Sequence, residues 1–356
     1  MKKALIAMSG GVDSSVAAAV MKDRGYDCVG VTMKLYTNSE IGIKDTNSCC
    51  SADDIADARS VAFSLGIPHY VFNFTADFEN EVIKRFVTQY ETGGTPNPCI
   101  DCNRYIKFNA LFGRAKEIGC EYIVTGHYAR IKYDAVSGRY KLYKAVDKSK
   151  DQSYVLYSMT QRELAHTVFP LGEYNKTEVR EIAEQKGLLT ARKHDSQDIC
   201  FVPDGDYAAF IEKYTGKEYP SGDFVDKQGN KLGTHNGIIR YTIGQRKGLG
   251  LALCKPMYVC EKDVVNNRVV LGENDSLMCR EFDAKDFNWI SYDRVDSPMY
   301  ATVKTRYKCT ESTAKIIPTS DSSVHIVLEQ PQRAVTSGQA VVLYNGDEVL
   351  GGGTTV

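Results

Sequence analysis

The sequence predicts an α/β protein. A doubly wound parallel sheet forms the N-terminal part, followed by a small mixed central domain and a C-terminal antiparallel β-barrel. Three observations predict this. Strand-like apolar runs alternate with helical periods through the first two hundred or so residues. That alternation stops near residue 208, and from about residue 283 only short segments of period two remain. The expected domains are therefore 1–208, 209–282 and 283–356, and a chain of 356 residues is longer than one core commonly serves.

The elements follow in order. KALIAM (3–8) reads as the first strand, and SSVAAAVMKDRG (14–25) as a helix closed by Gly25. CVGVTMKLY (28–36) is the second strand. SADDIADARSVAFSLG (51–66) is a helix with Ser51 as N-cap and an acidic first turn. HYVFNF (69–74) is a strand and ADFENEVIKRFVTQYETG a helix. YIKFNALFGRAKEIG belongs to a helix that starts near Asn103, and CEYIVTGHYARI is one further strand. NKTEVREIAEQKG (175–187) is a helix with an Asn-x-x-Glu capping box. DYAAFIEKYTG is a short helix, and Gly-rich, β-leaning sequence runs on through RYTIGQRKGLGLAL. The barrel strands lie in MYATVKTRYK, STAKIIP, SVHIVLE and QAVVLYNGDEVLGGGTTV. Ligands of a parallel sheet sit beyond the carboxyl ends of its strands, so the candidate site gathers residues 9–15, 33–36, 75–77 and 125–128.

Composition narrows the function. With 43% hydrophobic and 25% charged residues and a net charge of −1, the surface as a whole is no non-specific polyanion binder, although a local basic groove is compatible with it. No window reaches the roughly 18–20 apolar residues of a bilayer span, so no membrane partner is expected. The start, MKKALIAMSGGVDSS, superficially resembles a secretion signal. Its apolar run is short and ends in a Gly/Asp/Ser turn, which reads as a strand and implies a cytoplasmic location. Eleven cysteines in a reducing compartment point to metal binding or catalysis rather than a disulfide framework.

The turn SGGVDSS (9–15) leaves a strand and opens a helix, where backbone N–H groups and the helix dipole bind anions. Gly10 and Gly11 let the main chain approach a phosphate, Ser9, Ser14 and Ser15 add hydroxyl donors, and Asp13 is placed to orient the loop or meet Mg²⁺. It is neither a Walker loop, having no Gly-Lys-Ser/Thr, nor Gly-x-Gly-x-x-Gly. A cradle without lysine suits a pyrophosphate leaving group and reaction at the α-phosphate. The run Ser-Gly-Gly-Val-Asp-Ser resembles the PP-loop of the ATP pyrophosphatases, which adenylate an oxygen and let a nucleophile displace AMP. That resemblance implies ATP and Mg²⁺ as cofactors, with ATP held by Ala7, Met8, Ser9, Gly10, Gly11, Val12, Asp13 and Ser14.

Two cysteine segments, PNPCIDCNRYIKF and SQDICFVPDGDY, resemble the bacterial tRNA-specific 2-thiouridylases. TGHYAR (125–130), KDQSYVLY (150–157), HDSQDICF (194–201) and YTIGQRKGLGL (241–251) fit the same family in the same order, so the resemblance covers essentially the whole chain. It implies that the C2 oxygen of the wobble uridine is adenylated and then replaced by sulfur. Cys200 would carry the persulfide, and Cys102 would be the second catalytic thiol, its pKa lowered by Arg104, Lys107 and the nearby helix N-terminus. By the same resemblance Met33 and Gly126 contact the nucleotide, while Asn97, Pro98 and Cys99 border the target base. His127, Lys150, Asp151, Gln152, Arg306, Tyr307 and Gln339 meet tRNA. The implied partners are the anticodon loop of tRNA, in Lys, Glu and Gln isoacceptors, and a cysteine desulfurase or sulfur-relay protein. A base in that loop must be turned out to react.

The chain departs from the pattern at Cys99, where the family has an aspartate proposed as acid/base, so that role does not carry over; Asp101 is two residues away. Cys99, Cys102 and Cys200 also allow a [4Fe–4S] cluster with one open iron. Half of a zinc knuckle is the plainer reading of Cys99 and Cys102, but a second Cys-x-x-Cys is absent. Cys28, Cys120, Cys254, Cys260, Cys279 and Cys309 read as packing residues, and Cys49 and Cys50 have no assigned role. Three other functions compete: an amide-forming PP-loop ligase, a non-catalytic RNA-binding protein with a vestigial nucleotide fold, and a zinc-stabilised regulator.

Overall fold

Lys3–Ala7 forms β1, a strand buried on both faces apart from its first residue. Such strands belong to the middle of a parallel sheet. In the computed structural model, which describes residues 2–36, 52–193 and 199–356, this is so. Ser51, Cys49, Cys50, the stretch 37–50 and the first part of HDSQDICF lie outside the described residues. The chain forms two compact units, the first made of Met1–Ile83, Cys99–Gly205 and Gly346–Leu350, the second of Lys84–Pro98, Asp206–Asn345 and Gly351–Val356.

In the first unit β1 leads into α1 (Val12–Asp23), β2 (Asp27–Lys34), α2 (Ala52–Ser64) and β3 (His69–Asn73). Helix α3 follows over residues 75–91, with a π-helical stretch at Glu79–Ile83, and crosses into the second unit. Helix α4, residues 98–117, is α-helical at Pro98–Asp101, π-helical over Cys102–Ala110 and α-helical again over Leu111–Glu117. It begins at Pro98 rather than near Asn103, because proline is pre-set for the first helical position.

The stretch 120–131, expected as one strand, is two. β4 (Tyr122–Val124) joins the parallel sheet, and β5 (Ala129–Asp134) pairs antiparallel with β6 (Arg139–Lys144). Between them Gly126 lies so close to α1 that the chain must turn at the sheet's end. Helix α5 (Gln161–Ala165), β7 (Thr167–Val168) and α6 (Lys176–Gln185) complete the unit.

The sheet order is β3-β2-β1-β4-β7, all neighbours parallel. From β1 the chain winds outward on one side through β2 and β3, then returns to add β4 and β7 on the other. The point of reversal lies between β1 and β4, where such sheets bind ligands. The core beneath it is Ile6, Met8, Val16, Ala17, Val20, Met21, Val61, Val124, Leu171 and Val179. Three consecutive alanines, Ala17–Ala19, are almost wholly buried and let α1 lie close to its neighbours.

The second unit begins with the Lys84–Glu91 end of α3 and α7 (Tyr207–Thr215), joined by stacking of Tyr90 on Tyr207 at 4.4 Å between centroids. A small sheet of β8 (Gly222–Val225), β9 (Lys231–His235), β10 (Tyr258–Asp263) and β11 (Arg268–Gly272) has the order β10-β11-β8-β9. The remaining strands are β12 (Met278–Trp289), β13 (Met299–Lys304), β14 (Ser312–Ser320), β15 (Ser323–Arg333), β16 (Ala340–Asn345) and β17 (Glu348–Thr355). They close into a six-stranded barrel, because β17 also pairs with β12. Alternation along β15 sends Val324, Ile326 and Leu328 inward, and they, Val303, Ile316 and Leu343 are each no more than 1% exposed.

The capping box expected at residue 175 is present: Asn175 Oδ1 accepts from the Glu178 N–H at 3.0 Å, and the Asn175 N–H donates to Glu178 Oε2 at 2.7 Å. Asn175→Ala should lower stability by about 1 kcal/mol and Asn175→Ser by much less, read as midpoints of denaturant unfolding.

Candidate active site

The loop after β1 is built by its own side chains. Gly11 is the N-cap of α1 in extended backbone, and no side chain caps the helix. The first-turn N–H groups of α1 are thereby left to an anion. The hydroxyls of Ser14 and Ser15 turn inward and donate to Gly11 O at 3.1 and 2.9 Å, while the Ser9 N–H donates to Ser14 Oγ at 3.1 Å. The serines expected to serve a phosphate thus hold the loop's shape here. Gly10 has φ +74°, and a Cβ there would stand 2.4 Å from Asp54 O at the start of α2. Only glycine fits. A Cβ on Gly126 would lie 2.9 Å from both Asp13 C and Ser14 N. Ala7, Met8 and Val12 are buried, fixing the loop's two ends, and Met33 is half-buried on β2.

Asp13 has partners that sequence reasoning missed. Lys176 Nζ lies 2.8 and 2.9 Å from its two carboxylate oxygens, and the Tyr128 hydroxyl donates to Oδ1 at 2.7 Å. The loop itself has no lysine, yet the fold brings one to it from 163 positions away. Lys176 is the first residue of α6, and its backbone N–H donates to Asp147 Oδ2 at 3.0 Å. Nothing in NKTEVR signals this role, although Tyr128 stands in the recognisable TGHYAR. An ammonium at this place can move from Asp13 to a phosphate oxygen when an anion fills the loop.

The thiols are held differently from one another. Cys99 is exposed in the first turn of α4, whereas Cys102 is only 8% exposed and opens the π-helical stretch. The next residue, Asn103, is buried and donates from Nδ2 to Val155 O at 2.9 Å. Arg104, expected beside the Cys102 thiol, places its guanidinium 5.9 Å and 6.0 Å from the rings of Tyr105 and Tyr157. Cys200 is half-buried. Its carbonyl accepts from the Tyr36 hydroxyl at 2.5 Å, and Phe201 packs edge-on against Phe78, which also meets Tyr36. The Thr75–Phe78 turn of α3 packs in turn on the π-helical stretch that Cys102 begins. Among the described residues no three His, Cys, Asp or Glu side chains converge as metal ligands, so Cys99, Cys102 and Cys200 do not fit an iron–sulfur cluster in this arrangement.

Of the residues expected to meet tRNA, His127 lies inside, 8% exposed, with Nδ1 2.7 Å from Thr125 Oγ1 and its ring against those of both Phe108 and Phe169. Burial, with a smaller contribution from Lys107, pushes its pKa well below the usual value. Asp151 accepts from the Ala145 N–H and the Ser153 hydroxyl, and Gln152 exchanges hydrogen bonds with the Tyr128 backbone, so both shape the loop that carries half-buried Lys150. In the second unit Tyr307 is exposed, while Arg306 donates to Arg333 O and Gln339 to Thr95 O. Asn97 is half-buried and Pro98 buried.

A parallel sheet whose first strand ends in a Gly-Gly loop, at an uncapped helix and at the point of strand reversal, defines a nucleotide-binding protein of the PP-loop kind. Three family models match in sequence: "tRNA methyl transferase HUP domain" over residues 2–204, "tRNA methyl transferase PRC-barrel domain" over 208–273 and "Aminomethyltransferase beta-barrel domain" over 279–355. The tRNA-specific 2-thiouridylase MnmA of Clostridioides difficile (strain 630) is 49% identical over 99% of this chain and 97% of its own. That of Acetivibrio thermocellus is 51% identical over 99% of this chain and 98% of its own. Among solved structures, a 4-thiouridine synthetase–RNA complex with bound ATP covers 60% of this chain and 50% of that one at 18% identity, with a TM-score of 0.37, too distant to carry an argument. The chain belongs to the tRNA-specific 2-thiouridylase family.

Two outcomes follow. Lys176→Met should raise the KM for ATP, or lower ATP–pyrophosphate exchange, about 10–100-fold, the worth of one charge-assisted hydrogen bond; exchange of labelled pyrophosphate measures it. Burial makes His127 hold a proton more weakly in the fold than in the unfolded chain, which takes one up below about pH 6.5. Stability from this residue is therefore fully present above that pH and is lost as the pH falls from there toward the lowered folded value. Unfolding midpoints measured at pH 7.5 and 5.5 should differ less in His127→Gln than in the wild type.

Proposed function

We propose that this chain is an ATP-dependent tRNA-uridine 2-sulfurtransferase. The observation that carries the reading is that one unit holds both an open anion loop at the α1 N-terminus and two thiols, Cys102 and Cys200, whose adjoining segments, the Cys102–Ala110 stretch and Phe201, both pack against the Thr75–Phe78 turn. An amide-forming ligase needs the loop but has no use for the thiols. The loop would hold the phosphates of ATP, Lys176 would neutralise phosphate charge, and Asp13, once released by Lys176, would be the carboxylate available to a Mg²⁺ ion that supplies further charge neutralisation. The C2 oxygen of a uridine attacks the α-phosphate, and pyrophosphate leaves. A persulfide on Cys200 then supplies sulfur. The Cys102 thiolate attacks Cys200 Sγ, hydrosulfide leaves, and it displaces AMP from C2 to give 2-thiouridine.

The finer assignments belong to the same reading. The substrate is the wobble uridine of Lys, Glu and Gln tRNAs, and the persulfide is loaded by a cysteine desulfurase or relay protein. Residues 1–208 carry the chemistry, 209–282 form the central domain and 283–356 the barrel; Arg306, Tyr307 and Gln339 are the barrel's RNA contacts, and His127 and 150–152 are those of the first unit. Asn97, Pro98 and Cys99 border the flipped base. The proposed place of work is the cytoplasm; no helix among the described residues is long and apolar enough to cross a membrane.

The test is an anaerobic reaction of protein, unmodified tRNA, Mg·ATP and a persulfide donor, with the digested RNA read by mass spectrometry. Wild type should give 2-thiouridine and Cys200→Ser none. Cleavage of ATP to AMP without thiouridine, unchanged in Cys200→Ser, would overturn the reading.

A further inference from the structure

We propose that Cys99 and Cys102 form a reversible dithiol–disulfide pair, in which Cys99 reopens the Cys102–Cys200 disulfide left by sulfur delivery and carries the oxidising equivalents to the protein surface. The inference rests on the sulfur-transfer reading above.

Two observations lead to it. Cys99 and Cys102 occupy positions i and i+3 of one helix, since α4 runs unbroken from Pro98 through the π-helical stretch. Residues so spaced share a face with about 5–6 Å between their Cβ atoms, and closing a disulfide brings such a pair about 1–2 Å nearer, a shift the first turn of a helix accommodates. A Cys-x-x-Cys at the start of a helix beside a βαβ sheet is the arrangement of redox dithiols, where the first turn favours the thiolate. Second, the three thiols differ in access: Cys99 is exposed, Cys200 half-buried and Cys102 8% exposed. A protein reductant, itself bulky, reaches Cys99 far more easily than a disulfide between the other two.

The steps balance. Delivery of hydrosulfide leaves Cys102 and Cys200 joined, two electrons short of the dithiol. The Cys99 thiolate attacks Cys102 Sγ, the Cys102–Cys200 bond breaks, and Cys200 departs as a thiolate ready to be loaded again. A Cys99–Cys102 disulfide remains. An external dithiol, such as a small reduced redox protein, then supplies two electrons and is itself oxidised to a disulfide.

The test has two arms on the full-length protein. In the first, wild type is equilibrated in dithiothreitol buffers of graded oxidation, alkylated, and mapped by peptide mass spectrometry. A Cys99–Cys102 disulfide with Cys200 alkylated is expected; Cys99 alkylated at every ratio overturns the proposal without any variant. In the second, reduced protein completes one turnover with tRNA, Mg·ATP and a persulfide donor, without added reductant, and is quenched in acid. Wild type should end with Cys99–Cys102, and Cys99→Ser with Cys102–Cys200. If 2-thiouridine forms but wild type ends with Cys102–Cys200, the relay is overturned and the sulfur-transfer reading stands. If none forms, the sulfur-transfer reading falls and the relay with it, while the first arm still decides whether the pair exists.

Discussion

The constraint on which the first unit depends is the parallel pairing of β1 with β2 on one side and β4 on the other. It fixes the point of strand reversal directly after Ala7, so the loop 8–11 and the turn 125–128 come together at the same end of the sheet. Their approach is as close as backbone allows, since Gly126 has no room for a side chain against Asp13 and Ser14. This contact fixes the start of α1 relative to β4 and brings Tyr128 onto Asp13. The buried alanines of α1 do the same work from below, allowing the helix to sit near its neighbours without displacing its first turn. An anion site made from backbone N–H groups is only as well placed as the helix that carries them.

The thiol chemistry depends on a second kind of constraint, the contrast between neighbouring environments. A π-helical stretch widens the helix and shifts the direction of successive side chains, a feature often found at functional sites. Here it begins at Cys102, immediately after the regular turn that exposes Cys99. Cys200 is held in part through its backbone and its neighbour, by the Tyr36 hydroxyl and the buried Phe201 ring.

In the second unit, the barrel closes its own hydrogen-bonding edge through β12 and β17, so its stability asks nothing of an RNA ligand. The segment before α4 is tied down within the same unit: Lys262 Nζ donates to Gly94 O at 3.3 Å and lies 5.7 Å over the Tyr90 ring, and Gln339 donates to Thr95 O. Burial of Lys262 pushes its pKa down to about 8. Such an arrangement restrains the approach to Asn97 and Pro98 while leaving Tyr307 at the surface.

Local features were legible in the residues themselves. The strand–helix alternation, the Asn175–Glu178 capping box, the Gly-Gly turn and the Cys-x-x-Cys are short-range patterns, set by periodicity, turn chemistry and spacing that any fold would have to respect. The break between β4 and β5 was not legible, because a strand period continues through residues 120–131 and only the contact of Gly126 with α1 interrupts it. Nor was the partner of Asp13. Lys176 is one lysine among the 44 basic residues, and its charge acquires a role only when α6 is packed beside α1. The serine hydroxyls likewise looked available until the loop folded back upon them. The sequence by itself determined which chemical groups the protein has and which local turns they occupy. Which of those groups face one another was decided by the tertiary structure, since pairing across more than a hundred residues is fixed by packing and strand order and leaves no trace in local spacing.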